Sequence, residues 1–377
     1  LLIGLMPFPI FALETNNKEV EMTPHATSSV MIEATTGQIL YNKDANKKHE
    51  VASLTKMMGL ILIFDAIEKG ALKTDEILTT SENAKNMGGS QIWLETGEKI
   101  SVDDLLKGII MASANDAMVL MAERVSGTEE AFVKGMNNKA KELGLKNTYF
   151  KNSTGLDEDG SYSSAYDMAL IAKELIKYDK VFNYSKNYES YIRENTSNKT
   201  WITNTNKLVR FYTGTDGLKT GMTDKAGSCM AVTTKRDGLR LIVVTLGFSD
   251  SKVRNQETMD LLDYGFNQYE AKVIKNKNDV VGQLKLEKAN KDKIDLVLDD
   301  DAVIINKKID GQKDYKYEVK TNEVTYPIKK GDKLGEFQIK DNDKIINSID
   351  LVAKDNIDKL NVFKLYLKTF KDVLIGN

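Results

Sequence analysis

The chain has 377 residues, enough for about two to three domains of ordinary size. It is 41% hydrophobic and 29% charged, which is typical of a globular protein. Its formal net charge of −2 gives no overall basic field that would attract nucleic acid, and its one cysteine, Cys229, excludes an intrachain disulfide.

The first 13 residues form an apolar run that is too short to span a bilayer, which takes about 20 residues. The run fits the central region of a secretory signal, with Phe11-Ala12-Leu13-Glu14 near a cleavage point. We therefore predict that residues 1–24 are a signal-peptide remnant and a polar lead-in, which implies export. An apolar arm packed on the next domain is the alternative.

The predicted elements begin with two β-rich runs that flank Thr35-Thr36-Gly37, a hairpin pattern. A helix opened by Ser53 and Lys56 follows and ends at Gly70. Residues 75–140 are mostly helical by pattern, and a loop rich in turn formers then leads to another amphipathic helix.

From Gly217 the pattern changes to three strands joined by turns, with Asp237-Gly238 as a strong hairpin signal, and residues 257–270 form a closing helix. A domain that begins and ends with strands around a helical block predicts an α+β fold, an antiparallel sheet covered by helices. We assign residues 25–270 to this domain.

Beyond about Lys272 the composition shifts to Lys, Asp and Asn, and short β-like runs alternate with polar turns. We predict a small β-sandwich domain over residues 271–354 and an amphipathic helix over residues 355–377. An apolar stripe edged by lysines suits a helix lying on an anionic membrane surface, although such a helix could also dock on the β-rich domain. The stripe consists of Leu360, Phe363, Leu367, Phe370 and Leu374.

A histidine that activates a nucleophilic serine could only be His25 or His49, because the chain contains no other histidine. His49 lies near Ser53 in sequence and stays open as a base, but its Lys-Lys-His-Glu context favours an exposed loop residue. The sequence has no His/Cys cluster with metal-ligand spacing, no phosphate-binding loop and no Gly-x-Ser-x-Gly elbow. We expect no metal and no cofactor.

Lysine can replace histidine as the base. Residues i and i+3 share a helix face, so Ser53 Oγ and Lys56 Nζ can meet, provided that burial or a second cation keeps the lysine neutral. Backbone N–H groups at the helix start can also help to bind an oxyanion. The same spacing at Ser249 and Lys252 lies in a polar turn, where chance is the better explanation.

Two further short motifs accompany this pair. S-x-N occurs at Ser113-Ala114-Asn115 in a break between two helices, and K-T-G occurs at Lys219-Thr220-Gly221 on a strand beside the hairpin. Each motif alone is weak, since S-x-N also occurs at residues 81–83 and 185–187. Their order and contexts together make the pattern specific.

The three motifs resemble those of the serine penicillin-binding proteins and β-lactamases. The chain is more similar to the D-alanyl-D-alanine carboxypeptidases, the low-molecular-mass penicillin-binding proteins of peptidase family S11, in the stretches ASLTKMM, GIIMASANDA, LGLKNTYFKNSTGLD and DGLKTGMT. This resemblance covers residues 28 to about 270, and the β-rich segment and final helix also look like that family's C-terminal domain and membrane anchor. It implies a β-lactamase-like fold at the outer face of the bacterial cytoplasmic membrane.

The resemblance also implies roles on the helical side of the site. Ser53 would attack the carbonyl between the two terminal D-alanines of a peptidoglycan stem peptide, and Lys56 would take its proton. Ser113 would relay a proton to the leaving D-alanine, and Asn115 would hold Lys56 or the substrate amide.

On the strand side, Lys219 and Thr220 would bind the terminal carboxylate, and Gly221 would let the strand approach the ligand closely. Lys219 would also help to keep Lys56 neutral by like-charge repulsion. Water would then hydrolyse the acyl-enzyme, and β-lactams would be covalent inhibitors.

Ordinary structural explanations stay open for the same residues. They are an N-cap at Ser53, a snorkelling Lys56, helix-break residues at Ser113 and Asn115, a solvated strand lysine at Lys219 and a buried structural thiol at Cys229.

Two rival functions also stay open. A class A β-lactamase needs a deacylating glutamate, and Glu194 and Asn198 have the outer spacing of its loop, but the leucine is absent and the position lies far downstream. A catalytically silent wall-binding module would not need the complete set of three motifs.

Overall fold

The structure, a computed structural model, describes residues 21–311, 313–363, 365, 366 and 370. The signal remnant predicted over residues 1–24 therefore lies outside the described residues, apart from residues 21–24. Much of the helix predicted over residues 355–377 also lies outside them.

The larger sheet contains the strands β1 (Ser28–Glu33), β2 (Ile39–Lys43), β7 (Thr215–Thr223), β8 (Gly227–Arg236) and β9 (Leu239–Phe248). Their order is β2–β1–β9–β8–β7, and all neighbours are antiparallel. Both predicted hairpins are confirmed. Asp237 and Gly238 have φ angles of 48° and 82°, as a tight two-residue turn between twisted strands requires. β7 forms one edge of the sheet.

The helices are α1 (Lys56–Glu68), α2 (Glu82–Lys85), α3 (Val102–Lys107), α4 (Asn115–Ser126), α5 (Glu129–Glu142), α6 (Ala165–Leu175), α7 (Phe182–Ser185), α8 (Leu208–Phe211) and α9 (Ser251–Gln268). Side-chain caps start several of them. Ser101, Thr128 and Ser164 each accept a hydrogen bond from the backbone N–H three residues later, at α3, α5 and α6.

Both faces of the larger sheet are covered by helices. Successive strand residues point to opposite faces, so Val30 and Ile32 join the core formed with α1, α4 and α6, whereas Met31 packs in a second core with Leu261 and Leu262 of α9. This arrangement confirms the predicted antiparallel sheet covered by helices.

Two small two-stranded sheets were not predicted. They pair β3 (Ile77–Thr79) with β4 (Lys99–Ser101) and β5 (Glu189–Ile192) with β6 (Thr200–Thr203). Their strands are only three or four residues long, and β3 and β4 are far apart in sequence, so neither pair gives an alternating pattern that sequence alone could identify.

A C-terminal β domain follows, as predicted. β10 (Tyr269–Lys275) pairs with β13 (Ala302–Lys307), and a five-stranded antiparallel sheet has the order β11–β12–β16–β15–β14. The latter strands are β11 (Val280–Lys285), β12 (Lys293–Leu298), β14 (Lys316–Thr321), β15 (Lys333–Asp341) and β16 (Lys344–Ala353). The two sheets share an apolar core that includes Leu296, Ile304, Phe337 and Leu351.

The chain after β16 differs from the prediction of a helix that begins at residue 355. Ile357 and Lys359 form β-bridges with Ile328 and Ala289, and Ile357 is fully buried in the core of the β domain. The described helical residues begin only at Val362. Across the residues that the structure describes, no helix is both long and apolar enough to cross a membrane.

Candidate active site

Three segments meet at the edge of the larger sheet. They are the 3-10 turn Ala52–Thr55 before α1, the break between the π-helical turn Gly108–Ala112 and α4, and the strand β7. Each segment carries one of the three sequence motifs, so the fold brings the motifs together although they lie far apart in the chain.

Ser53 lies in the 3-10 turn, and Lys56 is the first residue of α1. Lys56 Nζ and Ser53 Oγ are 2.9 Å apart. Ser53 caps neither the 3-10 turn nor α1, whose N-cap residues are Val51 and Thr55, so the structural alternative of an N-cap does not hold. Lys56 is fully buried, which excludes a snorkelling side chain.

Two carbonyl groups hold the amine of Lys56. Its Nζ donates to Asn115 Oδ1 and to the backbone carbonyl of Thr154, both at 2.6 Å. Carbonyl oxygens cannot donate, so a neutral amine uses both of its N–H bonds on them and turns its lone pair toward Ser53. In that state the Ser53 hydroxyl donates to Nζ, which is the arrangement that a lysine base requires.

The environment of Lys56 favours the neutral amine. Burial lowers the pKa of Lys56 well below its ordinary value, and the positive charge of Lys219 lowers it further, whereas the carboxylate of Asp116 acts in the opposite direction. This direction agrees with the like-charge effect that the family resemblance implies.

The S-x-N segment approaches from the helical side. Asn115 is the first residue of α4 and is almost fully buried, and its Nδ2 donates to the Gly88 carbonyl at 2.7 Å. Ser113 ends the π-helical turn with φ of 64°, a left-handed conformation that is uncommon for residues other than glycine. Within the described part of the chain, the Ser113 hydroxyl makes no hydrogen bond to Ser53 or Lys56.

Two glycines allow the backbone around Ser53 to pack closely. A Cβ at Gly221 of β7 would lie 2.8 Å from the Ser53 nitrogen, and a Cβ at Gly155 would lie 1.9 Å from the Ala52 carbonyl oxygen. Gly155 also has φ of 81°. Side chains at either position would push β7 or the 153–156 loop away from the serine.

Lys219 is buried on β7, and its Nζ donates to the Thr220 carbonyl at 2.9 Å. Burial, followed by the positive charge of Arg254, lowers the pKa of Lys219 to about 7. Lys219 is therefore not the solvated strand lysine of the structural alternative.

Arg254 is a site residue that the motifs did not indicate. It lies on α9, is 5% exposed, and donates to Ser228 Oγ at 2.7 Å and to the Cys229 carbonyl at 3.2 Å. It forms no ion pair with any described residue. Burial lowers its pKa to about 10. The charge of Arg254 thus acts on Lys219, and neither buried cation forms an ion pair within the described part of the chain, which suits the binding of an anionic group.

The remaining candidates lie outside this constellation. His49 is half-buried and its Nε2 bonds to the Ala226 carbonyl at 3.0 Å, so the prediction of an exposed loop residue is wrong. Its backbone pairs with Ser163, which draws the ring inward. His25 contacts the Glu257 carboxylate. Neither ring bonds to Ser53.

The second S-x-x-K pair, Ser249 and Lys252, is exposed where α9 starts, as predicted. Glu194 and Asn198 lie in the exposed turn between β5 and β6. Cys229 is buried and its pKa is raised to about 11 by burial, which fits a structural thiol. Among the residues described, no group of three or more His, Cys, Asp or Glu side chains could hold a metal ion.

A serine hydroxyl that faces the buried amine of a lysine, with two further buried cationic side chains on β7 and α9, is typical of the serine acyl-transfer enzymes. Sequence profiles specify the family. The D-alanyl-D-alanine carboxypeptidase profile matches residues 14–250, and the profile of the C-terminal domain of penicillin-binding protein 5 matches residues 269–359. The chain belongs to the D-alanyl-D-alanine carboxypeptidase family.

Individual relatives agree with this assignment. The chain is 44% identical to the D-alanyl-D-alanine carboxypeptidase DacF of Bacillus subtilis over 377 residues, 99% of this chain and 97% of that protein. Penicillin-binding protein 5 from Haemophilus influenzae superimposes with a TM-score of 0.71 at 28% identity, covering 94% of this chain and 100% of the other. Penicillin-binding protein D2 from Listeria monocytogenes, in its ampicillin-bound form, superimposes with a TM-score of 0.59 at 31% identity, covering 64% of this chain and 98% of the other.

Proposed function

We propose that this enzyme removes the terminal D-alanine from peptidoglycan stem pentapeptides through an acyl-enzyme on Ser53. The observation that carries the proposal is the hydrogen bonding of Lys56, whose two carbonyl partners direct its lone pair at Ser53. The family supports the reaction, a serine-type D-alanyl-D-alanine carboxypeptidation.

In the first half-reaction Ser53 Oγ attacks the carbonyl between the two terminal D-alanines while its proton passes to Lys56. The backbone N–H of Ser53, at the start of the helical segment, can stabilise the oxyanion. The intermediate expels the amine of D-alanine, which leaves with the proton held by Lys56, and the family resemblance assigns the relay of this proton to Ser113. The stem peptide is then held as an ester on Ser53.

In the second half-reaction a water molecule takes the place of the amine. Lys56 accepts a proton from the water as it attacks the ester carbonyl, and the proton returns to Ser53 Oγ when the tetrahedral intermediate collapses.

The terminal carboxylate of the incoming substrate binds to Lys219 and Thr220, and the buried Arg254 adds a second positive charge beside them.

Incubation with a synthetic stem pentapeptide tests the reaction. We expect stoichiometric release of free D-alanine, together with covalent attachment of a labelled penicillin to Ser53. Rapid penicillin turnover without D-alanine release would favour the β-lactamase alternative. If neither labelling nor release occurs, the chain is a silent wall-binding module.

We further propose that the protein is exported and acts at the outer face of the bacterial cytoplasmic membrane, held there by its C-terminal segment. The described residues of this segment include four exposed apolar or aromatic side chains with relative exposures from 54% to 85%: Val362, Phe363, Tyr366 and Phe370. Tyr366 and Phe370 stack with ring centroids 6.3 Å apart. Aromatic side chains flanked by lysines suit the surface of an anionic bilayer.

The anchor predicts that the full chain sediments with vesicles of phosphatidylglycerol and phosphatidylcholine, whereas a chain that ends at Leu360 does not. The truncation keeps Ile357 and the bond from the Leu360 N–H to the Lys288 carbonyl, so the β domain stays intact. Activity on a soluble peptide should not change.

Two substitutions in the full chain sharpen this test. Phe363→Ser should weaken vesicle binding, because it removes an exposed aromatic side chain from the segment. Ile309→Ser, which removes an even more exposed apolar side chain elsewhere in the β domain, should not. Equal sedimentation of the full and truncated chains would rule out the anchor.

A further inference from the structure

Asp116 is a fully buried carboxylate in the first turn of α4, next to Asn115. Its oxygens accept hydrogen bonds from the backbone N–H groups of Ile92, at 3.1 and 3.2 Å, and Leu94, at 3.1 Å, besides that of Ala117 at 2.8 Å. It forms no ion pair with the described residues. A buried charge satisfied by backbone amides alone requires those amides to stay in place.

Ile92 and Leu94 belong to the loop of residues 86–98, between α2 and β4. The same loop supplies two carbonyl groups to Asn115. The Ser90 carbonyl accepts from the Asn115 backbone N–H and the Gly88 carbonyl accepts from Asn115 Nδ2, both at 2.7 Å. Two adjacent residues of α4 therefore hold the loop. Asn115 donates hydrogen bonds to carbonyl groups of the loop, and Asp116 accepts hydrogen bonds from backbone amides of the loop.

The bond to Gly88 also fixes the orientation of the Asn115 amide. Because Nδ2 points at the Gly88 carbonyl, Oδ1 points at Lys56 Nζ. If the loop moved, this constraint on the amide would be lost and Lys56 would lose one of the two acceptors that orient its lone pair. The position of the loop is thus linked to the orientation of the base.

We propose that Asp116 is a positioning residue that locks the 86–98 loop onto α4, so that the Asn115 amide holds Lys56 in line with Ser53. The inference rests on the proposed role of Lys56 as the base. The charged groups that face Lys56 are Lys219 from β7, which lowers its pKa, and Asp116 from α4, which raises it.

The variant Asp116→Asn keeps the size of the side chain and removes the charge. The amide exchange of Ile92 and Leu94 should become faster, because a carboxamide offers one acceptor oxygen in place of two. The rate of Ser53 acylation by penicillin should fall by about 10- to 100-fold, since small misplacements of a catalytic base are costly. The acid limb of the pH profile of this acylation should shift to lower pH, because loss of the negative charge lowers the pKa of Lys56.

Asp167→Asn is the matched control. Asp167 is also a buried carboxylate, which accepts from the Asn147 N–H at 2.7 Å and Thr148 Oγ1 at 2.8 Å, and its charge is not among those that act on Lys56. A general loss of stability would affect both variants, whereas the shift of the acid limb should occur only in Asp116→Asn. An unchanged acylation rate together with an unshifted acid limb in folded Asp116→Asn would overturn the proposal.

Hydrogen exchange on the unsubstituted enzyme tests the loop separately. Ile92 and Leu94 lie in neither a helix nor a strand, yet their amides should exchange as slowly as those of the core strands. Fast exchange would overturn the locking role even if Asp116→Asn failed to fold. If exchange is slow but the protein releases no D-alanine, the locked loop is supported and only the proposed reaction is rejected.

Discussion

The variant Ser53→Ala should show no covalent penicillin adduct and should lose D-alanine release by about 10⁴-fold or more, because no acyl-enzyme can form without Oγ. The fold should be retained, since Ser53 caps no helix and its side chain is hydrogen-bonded to Lys56, which stays held by Asn115 and Thr154 without it. Intact-protein mass spectrometry after incubation with penicillin, together with a D-alanine assay, measures both effects.

The second S-x-x-K pair supplies the control. Ser249→Ala alters a serine with the same spacing to a lysine, in an exposed position where α9 starts, and should acylate at the normal rate. Circular dichroism should give the same melting temperature for both variants within error. A penicillin adduct on Ser53→Ala would place the nucleophile elsewhere.

Lys219→Ala should lower kcat/KM for the stem pentapeptide by about 10- to 150-fold, because a charge-assisted contact with the terminal carboxylate contributes about 1.5–3 kcal/mol. The pH profile of kcat/KM should also change at both limbs. In the unsubstituted enzyme, carboxylate binding weakens as pH rises through the Lys219 pKa of about 7, and this alkaline limb should disappear in the variant.

The acid limb should move in the opposite direction from that of Asp116→Asn. Lys219 repels the protonated form of Lys56, so loss of Lys219 raises the pKa of Lys56 and shifts the acid limb to higher pH. A peptide whose terminal carboxylate is replaced by an amide should show no alkaline limb near 7 with the unsubstituted enzyme. This comparison separates the binding role of Lys219 from its effect on Lys56.

Lys225→Ala is the matched change in net charge. Lys225 follows the K-T-G strand, but it is half exposed and pairs with Asp159, so its loss should leave both limbs in place. If Lys219→Ala leaves kcat/KM and both limbs of the pH profile unchanged, Lys219 does not bind the carboxylate.

The sequence was most informative where a pattern is local. The spacing of three between Ser53 and Lys56 predicts their contact because one helical turn brings those positions to the same face. Asp237-Gly238 predicts the β8–β9 hairpin because only a few residue pairs favour the turn that matches strand twist. Local patterns did not predict the two small two-stranded sheets. They also predicted a helix at Ile357, where burial in the β domain, and not helical periodicity, decides the conformation.

The chemistry of the site was settled by contacts between residues distant in sequence. Lys56 donates hydrogen bonds to Asn115, which lies 59 residues later in the sequence, and to the carbonyl of Thr154, which lies 98 residues later. These two bonds turn its lone pair toward Ser53. No motif indicated Arg254 or Asp116. Both are buried, and the charge of Arg254 acts on Lys219 whereas that of Asp116 acts on Lys56.

The sequence by itself therefore determined which residue types are present and which local elements carry them: a serine and a lysine one turn apart, a Ser-x-Asn helix break and a Lys-Thr-Gly strand. Only the tertiary structure decided their protonation and orientation. The physical reason is that a pKa depends on desolvation and on neighbouring charges, and both arise when distant segments pack around Lys56 and Lys219.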